Sequence, residues 1–201
     1  MIITKVNNKI KQVQVKQLTK IIKSENSNAI ISFLSAKNLN LFLEKTILSK
    51  KLDLFIVKKN NQIIGYSIIA KRKKYLKLAF NKIIINFLFD LILNLKIKAL
   101  INSLISYLNF DLLFLSNNEK KKLNNSVNLN MLAIHNNYQS KGIGEKFLKH
   151  IISKQKKTAN YITCETQNER SENFYKSKLG FKKLGRLIRY PNLMTILIKK
   201  I

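Results

Sequence analysis

Gly142 and Gly144, in the stretch Gln139-Ser140-Lys141-Gly142-Ile143-Gly144, stand where a strand-like apolar run, Val127 to Ile134, gives way to a helix-like one. No other feature restricts the fold as much. A helix start leaves its first N–H groups unpaired and partly positive. Glycine lets that backbone approach an anion with no Cβ in the way. The junction therefore reads as a turn from strand into helix that can cradle a pyrophosphate. Taken alone, a Gly-x-Gly pair between a strand and a helix is more often just a tight turn, and the residues that follow decide between the two.

Downstream comes Asn168-Glu169-Arg170-Ser171-Glu172-Asn173-Phe174-Tyr175, then Lys178-Leu179-Gly180-Phe181. This block reads as a helix over 169–179. Asn168 suits the N-cap, Glu169 and Glu172 fall in the first turn where the dipole favours acids, and Gly180 sits where a C′ glycine ends a helix. Together the two blocks, with Leu132-Ala133-Ile134-His135-Asn136-Asn137-Tyr138 leading into the first, resemble the acetyl-CoA-binding core of the GNAT superfamily of N-acetyltransferases. The departures are Asn136 where the family often has proline, Ser140 where it often has glycine, and Ser171 where it often has alanine. None removes a backbone donor.

At 201 residues the chain fits one domain, 1–201. A net charge of +28 attracts anions, yet only four arginines (Arg72, Arg170, Arg186, Arg189) accompany lysines spread along the whole chain. Arginine is the favoured type for bidentate phosphate or base recognition. Its scarcity, with no basic helix carrying interleaved aromatics, argues against a nucleic-acid partner. Cys164 is the only cysteine, so no intrachain disulfide forms and a packed place in a strand over 161–166 is expected. With two separated histidines, His135 and His150, no metal site is expected. Met1 to Lys5 lacks the apolar segment of a signal peptide, which makes the cytoplasm the default location.

Alternation through Ile10, Gln12, Val13, Gln14 and Val15 predicts a first strand, and apolar spacing of three and four predicts helices over Leu18–Lys23 and Leu39–Leu48. Two β-rich runs, Leu52–Val57 and Ile63–Ala70, flank a polar hairpin turn. Residues 74–118 read as an insertion of two helices, Tyr75–Leu95 and Ile97–Leu115, joined near Asn94–Lys98. Lys82 and Lys96 bracket an apolar run that Asn86, Asp90 and Asn94 break, short of the about 18 uncharged apolar residues that a membrane span needs. The expectation is an arm buried against the core or a second subunit to form a homodimer. The alternative is an arm lying on an anionic membrane surface through 78–115, peripheral at its inner face. The order then continues as strand 127–135, helix 143–156, strand 160–166, helix 169–179 and strands near 182–189 and 194–200, with Pro191-Asn192 turning between the last two.

The resemblance implies a mixed α/β (α+β) fold with a central sheet splayed between its fourth and fifth strands. It points to a bacterial subgroup with a helical insertion between the third and fourth strands, a match that Phe33-Leu34-Ser35 and Phe42-Leu43 support. It implies acetyl-CoA as co-substrate and direct attack of a primary amine on the thioester. Backbone N–H groups of Gln139, Lys141, Gly142, Ile143, Gly144 and Glu145 would face the pyrophosphate, with Lys141 and Lys146 near the 3′-phosphate. Leu132 and Ile134 would line the pantetheine arm, which pairs with exposed strand backbone. Asn168 would bond the cofactor or cap its helix, and Tyr175 holds the position of the general acid. Glu165 is the carboxylate expected to act as base, with His135 or a water chain as alternatives. The preferred acceptor is an amino sugar or its nucleotide conjugate, with a protein amine as another. A competing expectation is a non-catalytic CoA-binding or membrane-surface adaptor.

Overall fold

The structure, a computed structural model, describes residues 1–7, 10–27, 29–72, 75, 84–93, 96–108, 110–189 and 192–201. Its elements in chain order are β1 (Ile2–Val6), α1 (Gln12–Glu25), α2 (Ala36–Leu48), β2 (Leu52–Lys59), β3 (Gln62–Ala70), α3 (Ile84–Leu93), α4 (Ile97–Tyr107) and α5 (Asn117–Asn124). Then follow β4 (Val127–Ile134), α6 (Ile143–Gln155), β5 (Tyr161–Thr166), α7 (Glu169–Asn173, continued by a π turn over Phe174–Lys178), β6 (Lys182–Arg189) and β7 (Asn192–Lys200). The strands form one mixed sheet in the order β1-β2-β3-β4-β5-β7-β6, antiparallel except for the parallel pair β4 and β5.

Both faces of this sheet are covered, which is why β2 reads as the unbroken run Leu-Asp-Leu-Phe-Ile-Val, with six consecutive buried residues, rather than as an alternation. Leu54 and Ile56 meet α1 and α2, together with Met131 and Ala133 of β4. Phe55, Val57, Leu129 and Ile134 meet the other face, against Phe147, Leu148, Ile151 and Ile152 of α6. Those four α6 residues recur at helical spacing, and each contributes roughly 2 kcal/mol by leaving water. The hairpin expected between β2 and β3 turns on Asn60 and Asn61, both left-handed (φ 48 and 60), the pair that a two-residue turn of the favoured hand requires.

Two expectations are corrected. Residues 10–15 are not the first strand: β1 is Ile2–Val6, a β-branched run that pairs with β2, and Gln12 opens α1. The alternation ending at Val15 was the start of a helical stripe, since Val15, Leu18, Ile21 and Ile22 are the buried positions. A third helix also lies between β3 and β4, running past the expected end of the insertion at 118. Helix α4 stops at Tyr107, and α5 begins after Ser116, whose hydroxyl accepts from Glu119 N–H while the Glu119 carboxylate accepts from Ser116 N–H. That reciprocal cap is written in the sequence as Ser-x-x-Glu. The predicted join at 94–98, the start of the first insertion helix and Pro191 lie wholly or partly outside the described residues.

The insertion runs along the α1/α2 face from one half of the sheet to the other. At one end Asp90, buried in α3, accepts from Ser35 N–H at 2.8 Å and Asn38 Nδ2 at 2.7 Å, placing a carboxylate at the start of α2 where the dipole favours it. At the other end Leu115 and Leu123 pack with Leu187 of β6 and Ile196 of β7.

Candidate active site

Strands β4 and β5 pair only over Val127–Ile162, Asn128–Thr163 and Leu129–Cys164, and the ladder stops there. The cause lies one residue further along β4. Ile69 of β3 faces Leu129 while Ile68 faces Met131, so Asn130 is an extra residue, a bulge that bends the strand away from β5. Beyond it β4 remains paired to β3 as far as Ile134. The edge of residues 130–134 that faces β5 is thus left without a strand neighbour, which is the splay that the resemblance implied.

At the end of this opened edge lies the glycine turn. Gly142 has φ +71 and precedes α6 as its N-cap, with no side chain capping the helix. The first bond of the helix is Lys146 N–H to Gly142 C=O, which leaves the preceding N–H groups of Ile143, Gly144 and Glu145 at the helix mouth. A Cβ placed on Gly142 would meet nothing within 4 Å. One on Gly144 would stand 3.7 Å from the Phe174 ring and 3.8 Å from Ile134, so the turn, the end of β4 and α7 converge there. An uncapped, positive helix start over open space at the end of an unpaired strand edge fits a pyrophosphate followed by an extended amide-bearing arm.

The expected binding residues divide by role. Leu132 and Ile134 face the α6 side of the sheet, as lining of the arm requires. The Gln139 side chain is occupied in holding the turn, donating to Ile134 C=O and to Glu25, each at 2.8 Å. Glu25, at the end of α1, also accepts from Asn136 N–H at 3.1 Å. Its part was missed from the sequence, where the signal was only that acids are rare, ten against 38 lysines and arginines. Lys141 folds back to Asn137 C=O at 2.9 Å, and Glu145 pairs with Lys149 at 2.7 Å, whose hydrogen bond holds the carboxyl below its usual range. The Asn168 side chain caps α7 by accepting from Ser171 N–H at 2.8 Å. His135 accepts from Asn137 N–H at its Nδ1.

Tyr175 sits on the α6 side in edge contact with Phe174 and Phe181, 5.2 and 5.4 Å between ring centres. Burial, then the neighbouring Cys164, raises its phenol well above the ordinary value, so it stays protonated. The π turn that begins at Phe174 widens the helix at this point. Cys164 is 1 % exposed and burial pushes its thiol up as well, so it fits packing and not nucleophilic attack.

Glu165 points the other way. It faces Ile196 across the β5–β7 ladder, on the face covered by the insertion, whereas Cys164 and its partner Leu197 face α6. There Arg189, at the end of β6, donates to its Oε2 at 3.0 Å. The gap between β4 and β5 therefore has a phenol on one side and a carboxylate–guanidinium pair on the other. Arg189 was not foreseen, because its place depends on how the β6–β7 hairpin folds back along β5. Among the described residues no group of three His, Cys, Asp or Glu could hold a metal ion.

Residues 111–183 match the family described as the acetyltransferase (GNAT) domain. The curated proteins gave no match. Among solved structures, a ribosomal-protein-alanine N-acetyltransferase from Brucella melitensis is similar with a TM-score of 0.59 at 12 % identity, over 100 % of both chains. An aminoglycoside 6'-acetyltransferase type Ii gives 0.59 at 12 % identity, over 100 % of this chain and 97 % of that one. The NatC complex bound to Gag peptide and CoA gives 0.54 at 17 % identity, over 100 % of this chain and 99 % of that one. At such identities the likeness is one of fold.

Proposed function

We propose that this chain, whose residues 111–183 match the acetyltransferase (GNAT) domain, is an acyltransferase that uses acetyl-CoA and moves the acetyl group to the primary amine of an amino sugar, best a nucleotide-linked one. The observation that carries this reading is the Glu165–Arg189 pair at 3.0 Å on the insertion-covered side of the splay. A carboxylate suits an ammonium and can take its proton, and a guanidinium beside it suits a phosphate or another anion. An acceptor bearing both groups matches the pair. A polyamine does not, since a protein of net charge +28 repels a polycation.

The chain works as a single domain in which 74–118 is an insertion. Acetyl-CoA supplies the activated thioester. The helix start at Gly142–Glu145 would hold its pyrophosphate, and the 130–134 edge of β4 its arm. Glu165 receives the amine proton, so that the nitrogen lone pair can attack the acetyl carbon. Tyr175 donates a hydrogen bond to the departing sulfur. The chain's one cysteine is buried and held protonated, which favours direct transfer over an acyl-enzyme.

A peptide amine is the second reading. The fold likeness to the Brucella enzyme supports it as strongly as the likeness to the aminoglycoside enzyme supports a sugar, with a TM-score of 0.59 for each. Release of CoA thiol should be measured with a nucleotide-linked amino sugar, free glucosamine, spermidine and peptides with free N-termini. The conjugate is expected to lead by about tenfold in kcat/KM, an advantage that shrinks with salt. A lead for a peptide or for spermidine would overturn the reading.

A further inference from the structure

We propose that the outer face of the insertion docks on an anionic lipid bilayer. Phe89, Ile92, Leu93, Leu104, Leu113 and Phe114 are each 58–65 % exposed. In α3 the exposed positions Leu88, Phe89, Ile92 and Leu93 share one side of the helix, while Asp90 and Leu91 turn inward. The outward side of α3 is apolar throughout its described side chains. Helix α4 packs on α3 and adds Ile97 and Leu104, one face at a spacing of seven. Large apolar side chains this exposed on two helices packed together mark an interaction surface.

Charge selects the occupant. Between residues 71 and 124 the sequence has eleven Lys and Arg against three acids. Two of those acids are committed: Asp90 to the start of α2, and Glu119 to Ser116, whose backbone and hydroxyl hold its carboxyl below the usual range. A second copy of a chain with net charge +28 would be repelled from this face, whereas an anionic leaflet attracts it. Helices α3 and α4 have 10 and 11 residues, and among the described residues no helix is long and apolar enough to cross a membrane. Short helices with an apolar side among lysines lie in the interface plane. The insertion covers the Glu165 side of the sheet, so a bilayer docked on it lies on the acceptor side.

The full-length chain should be sedimented with vesicles of phosphatidylcholine alone and with vesicles containing phosphatidylglycerol. The expected result is at least tenfold stronger binding to the anionic vesicles. Phe89→Asp, Leu93→Asp and Phe114→Asp combined should remove it while circular dichroism and acetyl-CoA binding stay unchanged. If the triple variant misfolds, Leu93→Asn and Lys98→Glu singly should each weaken binding several-fold. Equal binding to both vesicles, no binding by the parent chain, or a dimer in light scattering that the triple variant dissolves would overturn the proposal. Vesicle binding is read without turnover, so its outcome is separate from that of the acetyltransferase assay.

Discussion

Arg189 donates to Glu165 over 3.0 Å, and the pair lies on the side of β5 opposite to Cys164 and the Tyr175 beside it. Glu165→Gln keeps an acceptor for Arg189 and removes the charge. If the carboxylate takes the amine proton, kcat/KM for the amine should fall by about 100-fold or more, with KM for acetyl-CoA unchanged. Arg189→Met should act differently, raising KM for a phosphorylated acceptor while a neutral amino sugar is little affected. Initial rates at varied acceptor and fixed acetyl-CoA separate the two. Activity within twofold of the parent in Glu165→Gln would move the base elsewhere.

Tyr175→Phe removes one oxygen from a side chain packed between Phe174 and Phe181, so the fold should survive it. A fall in kcat of about 100-fold is expected from the lost donor. The pH profile is the sharper test. Because burial raises the phenol above its ordinary value of 10.0, Tyr175 stays protonated to pH 10 and beyond, and kcat should be flat from pH 8 to 10. The sign for stability is the reverse of a carboxylate's. The folded state keeps a proton that the unfolded chain releases near pH 10, so this contribution is whole below that pH and is lost as pH rises further. A falling limb below pH 9 that vanishes in Tyr175→Phe would contradict the assignment.

What could be read from the sequence was local. The glycine turn, the Asn168 cap and the C′ role of Gly180 (φ +69) depend on residues within a few positions of each other, and all three took their expected conformations. The opening between β4 and β5 was implied only through resemblance, because its cause, the bulge at Asn130, is set by register against β3. Glu25 and Arg189 were invisible for the same reason. Glu25 is 114 positions from Gln139 and Arg189 is 24 from Glu165, and no periodicity connects such pairs. The error at residues 10–15 had another source. Two valines in four residues favour a strand locally, but the buried stripe that continues to Ile22 settles the segment as helix.

Gly185 of β6 tests whether the insertion shapes the acceptor side. A Cβ there would stand 2.5 Å from Leu115 Cδ2 and 3.3 Å from Glu119 Oε1. Gly185→Ala asks only a flexible leucine end to move and should be tolerated. Gly185→Val should cost about 1–3 kcal/mol by overpacking and lift the 110–124 segment from the sheet. KM for the acceptor should then rise while KM for acetyl-CoA holds. Thermal unfolding and two-substrate kinetics together check this, and an unchanged acceptor KM in a destabilised Gly185→Val would show that the insertion end is only structural.

Gly142 separates backbone strain from packing. Its Cβ position is open, so Gly142→Ala meets no neighbour, but its φ of +71 is one that alanine adopts at a cost of about 1–2 kcal/mol. Relief of that strain would turn the first peptide groups of α6 away from the helix mouth. Acetyl-CoA should therefore bind about tenfold more weakly, with kcat at saturating acetyl-CoA nearly unchanged, because the groups flanking the thioester are not touched. Desulfo-CoA binding by calorimetry isolates this step from chemistry. Equal affinity of Gly142→Ala and the parent chain would mean that the helix start does not hold the pyrophosphate.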